Sequence, residues 1–176
     1  MPKLSFPRVL LWWAVLSSTA WATDWSACPG WGEPPSEEPA SYRYETFVSP
    51  FTHHWSDENA SQHKSAYAVS VSRLLPNQRF CGFSLFRNSF GQPSAYAFTG
   101  WSWPTLFNSH PKVYGTLSAG IIYGYVGEFK NKVPLNVGGF SPVVLPAVGY
   151  RLSPEAAVEV QILGSAAFML GATWRF

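Results

Sequence analysis

Ala166-Ala167-Phe168-Met169-Leu170-Gly171-Ala172-Thr173-Trp174-Arg175-Phe176 alternates along its whole length. Ala166, Phe168, Leu170, Ala172, Trp174 and Phe176 form an apolar row, and Met169, Gly171, Thr173 and Arg175 fall on the other side. Side chains of a β-strand point alternately to the two faces of a sheet, so this stretch predicts a strand with one apolar face. In a water-soluble domain an open strand edge and two large aromatics would be left without partners. A barrel closed within a membrane removes both problems. Neighbouring strands pair every edge, and the aromatics sit in a girdle at the water boundary.

The other end of the chain predicts export. Lys3 and Arg8 precede a short apolar core, Leu10 to Leu16, and Ala20-Trp21-Ala22 has the form of a cleavage site. The apolar run is well short of the roughly 18 residues a membrane helix needs, so residues 1–22 are expected to be a signal peptide. Charged residues are 12% and aromatic residues 17%, where a soluble domain carries about twice that charge. The remaining length suits about eight strands of about ten residues. The expected fold is therefore all-β: an eight-stranded antiparallel up-and-down transmembrane barrel over 41–176, located in the outer membrane and monomeric. A net charge of +2 with no Lys/Arg cluster gives no argument for nucleic acid.

Residues 23–40 are rich in Pro, Gly and Glu and are expected to form an extended periplasmic lead-in. Strands are expected at 41–52, 65–75, 79–87, 94–103, 114–126, within 134–150, at 155–163 and at 166–176. In the fifth, Leu117, Ala119, Ile121, Tyr123 and Tyr125 share one face, and Thr116, Ser118, Gly120, Ile122 and Gly124 the other. In the seventh, Glu159 and Gln161 point inward, with Glu159 and Arg175 a candidate internal pair. The small, mixed inner residues suggest room for an acyl chain in a bore that is otherwise just wide enough to fill with side chains. Cys28 and Cys81 would meet an oxidising compartment, so a disulfide tying the lead-in to the barrel is expected. The rival for Cys28 is lipid modification, disfavoured because residues 24–27 lack the apolar character that such a site needs. No ligand spacing for a metal is present, and no cofactor is expected.

Two outer loops carry candidate chemistry. His53-His54 follows the first strand, and Asn88-Ser89 lies in the loop 87–93. A His that takes a proton from an attacking hydroxyl, with Ser, Asn or backbone N–H groups holding the oxyanion, would serve acyl transfer. Loop histidines are commonly just solvated, and Asn-Ser is common turn chemistry.

Phe86-Arg87-Asn88-Ser89-Phe90 resembles the Phe-Lys-Asp-Ser-Trp loop of the lipid A palmitoyltransferase family (PagP-type outer-membrane acyltransferases), and Gly100-Trp101 lies at the spacing of that family's Gly-Trp pair. Val69-Ser70-Val71-Ser72-Arg73 is similar to its Gly-Leu-Ser-Arg strand. Pro142-Val143-Val144-Leu145-Pro146 with Val148-Gly149-Tyr150 resembles its proline-rich sixth strand, and Thr173-Trp174-Arg175-Phe176 its last strand. The resemblance covers most of 41–176. It implies transfer of a palmitoyl chain from a glycerophospholipid to a lipid A hydroxyl at the outer rim. By position it makes His53 or His54 the base and Ser89 the second catalytic residue. Gly100 becomes the floor of an acyl pocket, and Arg87, Lys130 and Lys132 candidates to meet lipid A phosphates. Sideways access from lipid would use gaps at Pro50, Pro142 and Pro146, which lack the N–H a ladder needs. The family's Asp is Asn88 here, so the carboxylate role would change to hydrogen bonding or pass to Asp57 or Glu58. His63 and His110 are left as surface residues. The alternatives are a non-enzymatic scaffold or adhesin, marked by a polar self-satisfied interior, and a lipid A deacylase.

Overall fold

The computed structural model describes residues 28, 44–55, 63–75, 78–165 and 167–176. The expected signal peptide and all of the lead-in except Cys28 lie outside the described residues. Eight strands run in order: β1 (Tyr44–His54), β2 (Tyr67–Leu74), β3 (Arg79–Arg87), β4 (Pro93–Trp103), β5 (Val113–Tyr123), β6 (Phe140–Arg151), β7 (Ala156–Leu163) and β8 (Ala167–Arg175). Each pairs antiparallel with the next, and β1 pairs with β8 to close the barrel. The end bearing His54 is the outer rim and the end bearing Tyr44 the inner rim.

Alternation sets the two faces. Val48, Val69, Val71, Leu85, Ile121, Val148, Val158 and Leu170 are exposed on the outside, whereas Phe47, Ser70, Ser84, Tyr96, Ser118, Ala147, Glu159 and Met169 are buried. An apolar wall of this extent would be a liability in water and is what a hydrocarbon environment requires. Exposed aromatics stand at both ends. Tyr44, Trp101, Trp103, Tyr150 and Trp174 lie at the inner rim, and Trp55, Tyr67, Tyr123 and Phe140 at the outer rim. They form the two girdles of a membrane barrel.

Two strands end earlier or start later than the sequence suggests. β5 stops at Tyr123 because Gly124 turns with φ +133°. Tyr125 consequently leaves the outer row and lines the internal cavity. β6 starts at Phe140 because Leu135, Gly138 and Gly139 all adopt positive φ, and Gly127–Lys132 forms a short 3-10 helix between the two strands. Cys28 is bonded to Cys81, with Cα atoms 5.5 Å apart. Since Phe80 and Ser84 face the bore, Cys81 faces outward, and the bond places Cys28 on the outside of the wall.

Two seams are incomplete. The β1–β2 ladder stops at Ser49 opposite Ala68, next to Pro50, and β1 continues paired only with β8. The β6–β7 ladder covers only Ala147–Arg151 and stops at Pro146. Above it, Phe140 to Pro146 pair with β5 alone, and Ile162 and Leu163 with β8 alone. Both breaks lie in the outer half of the wall, and a residue without an N–H stands at each.

Candidate active site

A cavity of about 700 Å³ runs through the bore, bordered by His54, His63, Ser89 and Tyr125 at the outer rim and by Glu45 and Arg175 at the inner rim. That volume is within the range of small-molecule sites, roughly 300–1,000 Å³. Pro142 and Val144 also border it although both are exposed residues of the outward row of β6. Both stand beside the β6–β7 break.

His54 Nε2 is 2.8 Å from Ser89 Oγ. The reason His54 rather than His53 meets the serine is a bulge. In β1 the inward residues are Phe47 and Ser49, then the register with β8 shifts between Val48 and Phe51, and Thr52 and His54 border the cavity. A bulge moves all later side chains to the opposite face. His53 consequently points outward and packs on Phe168, ring centroids 5.2 Å apart.

His63, left unassigned by the sequence, is part of the same cluster. Its ring stacks on that of His54 at 4.0 Å, with 28° between the planes, and meets the edge of Phe90 at 5.8 Å. The next residue, Lys64, donates its backbone N–H to the Ser89 carbonyl at 2.6 Å, which fixes this segment over the serine. Phe90 stacks on Phe129 of the 3-10 helix at 4.5 Å and meets Tyr125 at 6.3 Å, so aromatic rings roof the mouth. No short motif signals His63, Phe129 or Tyr125, because three separate loops bring them together.

His54 ends β1 opposite Ala167, the first residue of β8 after the outer turn, and so stands beyond the membrane wall. Its pKa is held below the ordinary histidine value, first by burial, which disfavours the cation, and then by the charges of His63 and His53. The neutral ring is the form that accepts a proton. Burial also pushes the Tyr125 phenol up to about 12, so it remains a neutral hydroxyl at the mouth.

Asn88 does not touch His54 in any recorded hydrogen bond. It is buried, and its side-chain hydrogen bonds organise the loop. Oδ1 accepts from the N–H groups of Phe90 and Gln92, both at 3.0 Å. Nδ2 donates to Ser94 Oγ at 3.1 Å and to the Gly124 carbonyl at 3.3 Å. An Asp has no N–H to donate there, which accounts for Asn at this position. Arg87 borders the mouth and donates from Nε to the Gly91 carbonyl at 3.2 Å.

Gly100 does not form a floor. The ring of Phe80 from β3 covers it, so that a Cβ at position 100 would fall 2.4 Å from Phe80 Cζ. The side chains bordering the bore at this level are Phe80 and Phe98, edge to face at 6.1 Å. The same arrangement recurs with Phe98 over Gly82, Phe47 over Gly171 and Tyr114 over Gly149. An inward glycine gives a neighbouring aromatic ring room to lie flat against the sheet.

Below these rings the bore is polar. Arg175 Nε donates to Glu45 at 2.6 Å. Glu159, expected as a partner of Arg175, instead accepts from Tyr114 at 2.9 Å and from Gln161 at 3.0 Å. Among the described residues, no cluster of three His, Cys, Asp or Glu could hold a metal ion.

No family model matches the chain, and no curated protein matches it. Solved structures do. A designed transmembrane β-barrel superposes with a TM-score of 0.54 at 15% identity, over 79% of this chain and 99% of its own. The chain has the closed eight-stranded fold of a transmembrane β-barrel. Two natural barrels also match. Ail of Yersinia pestis has a TM-score of 0.41 at 14% identity, over 77% of this chain and 99% of its own. The N-terminal barrel domain of Pseudomonas aeruginosa OprF has a TM-score of 0.40 at 12% identity, over 77% and 98%.

Proposed function

We propose that this barrel is an acyltransferase of the lipid A palmitoyltransferase type, moving a palmitoyl chain from a glycerophospholipid to a lipid A hydroxyl. The observation that carries the reading is the His54–Ser89 contact at the mouth of the bore, beside a wall whose β6–β7 pairing stops at Ala147. His54 takes the proton of the acceptor hydroxyl as its oxygen attacks the donor ester carbonyl. Ser89 donates a hydrogen bond to the oxyanion. The tetrahedral species then breaks the donor C–O bond, and the imidazolium returns its proton to the departing lysophospholipid alkoxide. Phe80 and Phe98 limit how deep the acyl chain reaches, in place of Gly100, and Arg87 stands at the acceptor side.

The test is mass spectrometry of lipid A incubated with phospholipid and the purified barrel. A gain of one palmitoyl chain, lost in Ser89→Ala and His54→Ala barrels that still fold, supports the reading. An unchanged lipid A mass rejects it, and a loss of one chain assigns a deacylase. The second reading is a non-enzymatic scaffold, favoured by the self-satisfied Glu45–Arg175 and Tyr114–Glu159–Gln161 contacts inside the bore. It predicts no change of lipid A mass with any variant.

A further inference from the structure

Lys64 and Arg87 converge above Gly91. A Cβ built there would lie 2.7 Å from Lys64 Cδ, 3.5 Å from Lys64 Nζ and 3.2 Å from an Arg87 Nη. Gly91 has φ +83°, and because it has no side chain Lys64 and Arg87 can both pack directly against its backbone. Neither cation has a carboxylate partner among the described residues; the ion pair recorded there is Arg175 with Glu45. Two like charges held beside one glycine repel in the absence of an anion.

The arrangement is also built to stay in place. Arg87 is anchored through Nε to the Gly91 carbonyl, which orients its two Nη groups as further donors. Lys64 is anchored through its backbone N–H to Ser89, and the turn between them is tied by Asn88. Lys132 stands on the far side of the turn, with Nζ 5.6 Å from the Phe90 ring centroid. Planar guanidinium donors with a neighbouring ammonium suit a tetrahedral oxyanion.

We infer that Lys64 and Arg87 form a phosphate-binding clamp over Gly91, adjacent to Ser89, that takes the phosphate group of a membrane lipid. This deepens the acyltransferase reading by naming a part of the substrate, and it adds Lys64 to the site. The phosphate of a glycerophospholipid and that of lipid A share this chemistry, and both approach the outer rim at headgroup level.

The test measures binding, so that its outcome is independent of catalysis. The full-length barrel in detergent is titrated with three probes: bisphosphorylated lipid A, lipid A stripped of both phosphates, and phosphatidylglycerol. Native mass spectrometry reads occupancy for the unaltered chain, Lys64→Gln, and Lys64→Gln/Arg87→Gln. The expected result is a loss of about tenfold or more in affinity for a phosphate-bearing probe in the double variant, with the dephosphorylated lipid unchanged. The phosphorylated probe that responds identifies the source. Arg87→Lys is expected to recover part of the affinity. Lys64→Gln leaves the backbone contact to Ser89 in place, so it keeps the test decisive if the double variant misfolds. Equal affinities in all variants, or equal loss for phosphorylated and dephosphorylated lipid, overturn the clamp.

Discussion

The ring of Phe80 lies over the backbone of Gly100, so close that a methyl group on Gly100 would collide with Phe80 Cζ at 2.4 Å and with the Leu117 carbonyl at 2.5 Å. Gly100→Ala is therefore expected to lower stability by about 1–3 kcal/mol through overpacking, read as a fall in the urea midpoint of the barrel in micelles. Part of the cost comes from the ring and part from the rigid carbonyl. Phe80→Ala in the same chain should thus recover some of it but not all, a non-additivity expected for touching residues. Full additivity of the two losses would refute the contact.

Ser89 and His54 share a hydrogen bond, while His53 packs outside on Phe168. If acyl transfer occurs, His54→Ala should reduce its rate by about 10²–10⁴-fold, the range of a general base. His53→Ala should leave the rate within about threefold, since it leaves the proton-transfer contact intact. Radiolabelled acyl transfer to lipid A checks both, and equal losses would reject the parity argument from the bulge.

Asn88 uses both ends of its amide. Asn88→Asp keeps the two acceptor contacts but loses both donors, and it places a carboxylate against the Gly124 carbonyl. An unsatisfied buried group of this kind costs about 1–3 kcal/mol or more when charged. Faster proteolysis within 87–93 at neutral pH, relieved on acidification as the new carboxyl protonates, is the expected outcome. A variant indistinguishable from the unaltered barrel would show that the donor contacts carry no weight.

The neutral His54 has a pH consequence. Its pKa in the folded chain lies below 6.5, so below that pH the folded state binds fewer protons than the unfolded one. The stability it contributes is complete above pH 6.5 and declines as the pH falls. The acid limb of any transfer activity should lie on the acid side of that value. His63→Gln removes a charge that opposes protonation of His54 and should move the limb upward. A limb that stays put, or moves downward, contradicts the stacked pair as its cause.

Cys28 and Cys81 are 53 positions apart. Cross-linking a loop of that size restricts the unfolded chain and typically contributes about 2–4 kcal/mol. Cys81→Ser, which sits on the outer wall and touches neither the bore nor the mouth, should lower the unfolding midpoint without changing lipid binding. Equal midpoints with and without reductant would remove the disulfide from the stability of the barrel.

Where alternation ran unbroken, strands were legible from sequence alone. β3 spans Arg79–Arg87 as expected, and β5, β7 and β8 present the expected residues to the bore. What escaped had local causes in two strands and long-range causes at the site. A bulge near Pro50 reversed parity in β1, so period-two counting could not choose between His53 and His54. Positive φ at Gly124 and Leu135 cut β5 short and delayed β6; a leucine does not announce that conformation, and Gly124 fits the period-two alternation of β5 equally well as an inward strand residue. The Phe80–Gly100 contact lies across strands and depends on register, which alternation leaves open. His63 and Lys64 reached the serine through the return of a loop, a relation between distant segments that no spacing encodes.

The barrel closes where Glu45 meets Arg175, residues 130 positions apart. Each of the other seven seams joins strands that follow one another along the chain and can form as a local hairpin. The last one requires almost the whole sheet to have curled before it is rewarded, a high contact-order step that is slow by nature. Until it forms, β1 and β8 are both open templates for foreign strands. Assembly of this protein is consequently most vulnerable at its final moment, and a catalyst that holds those two edges apart from other chains would accelerate it more than one that promotes any individual hairpin.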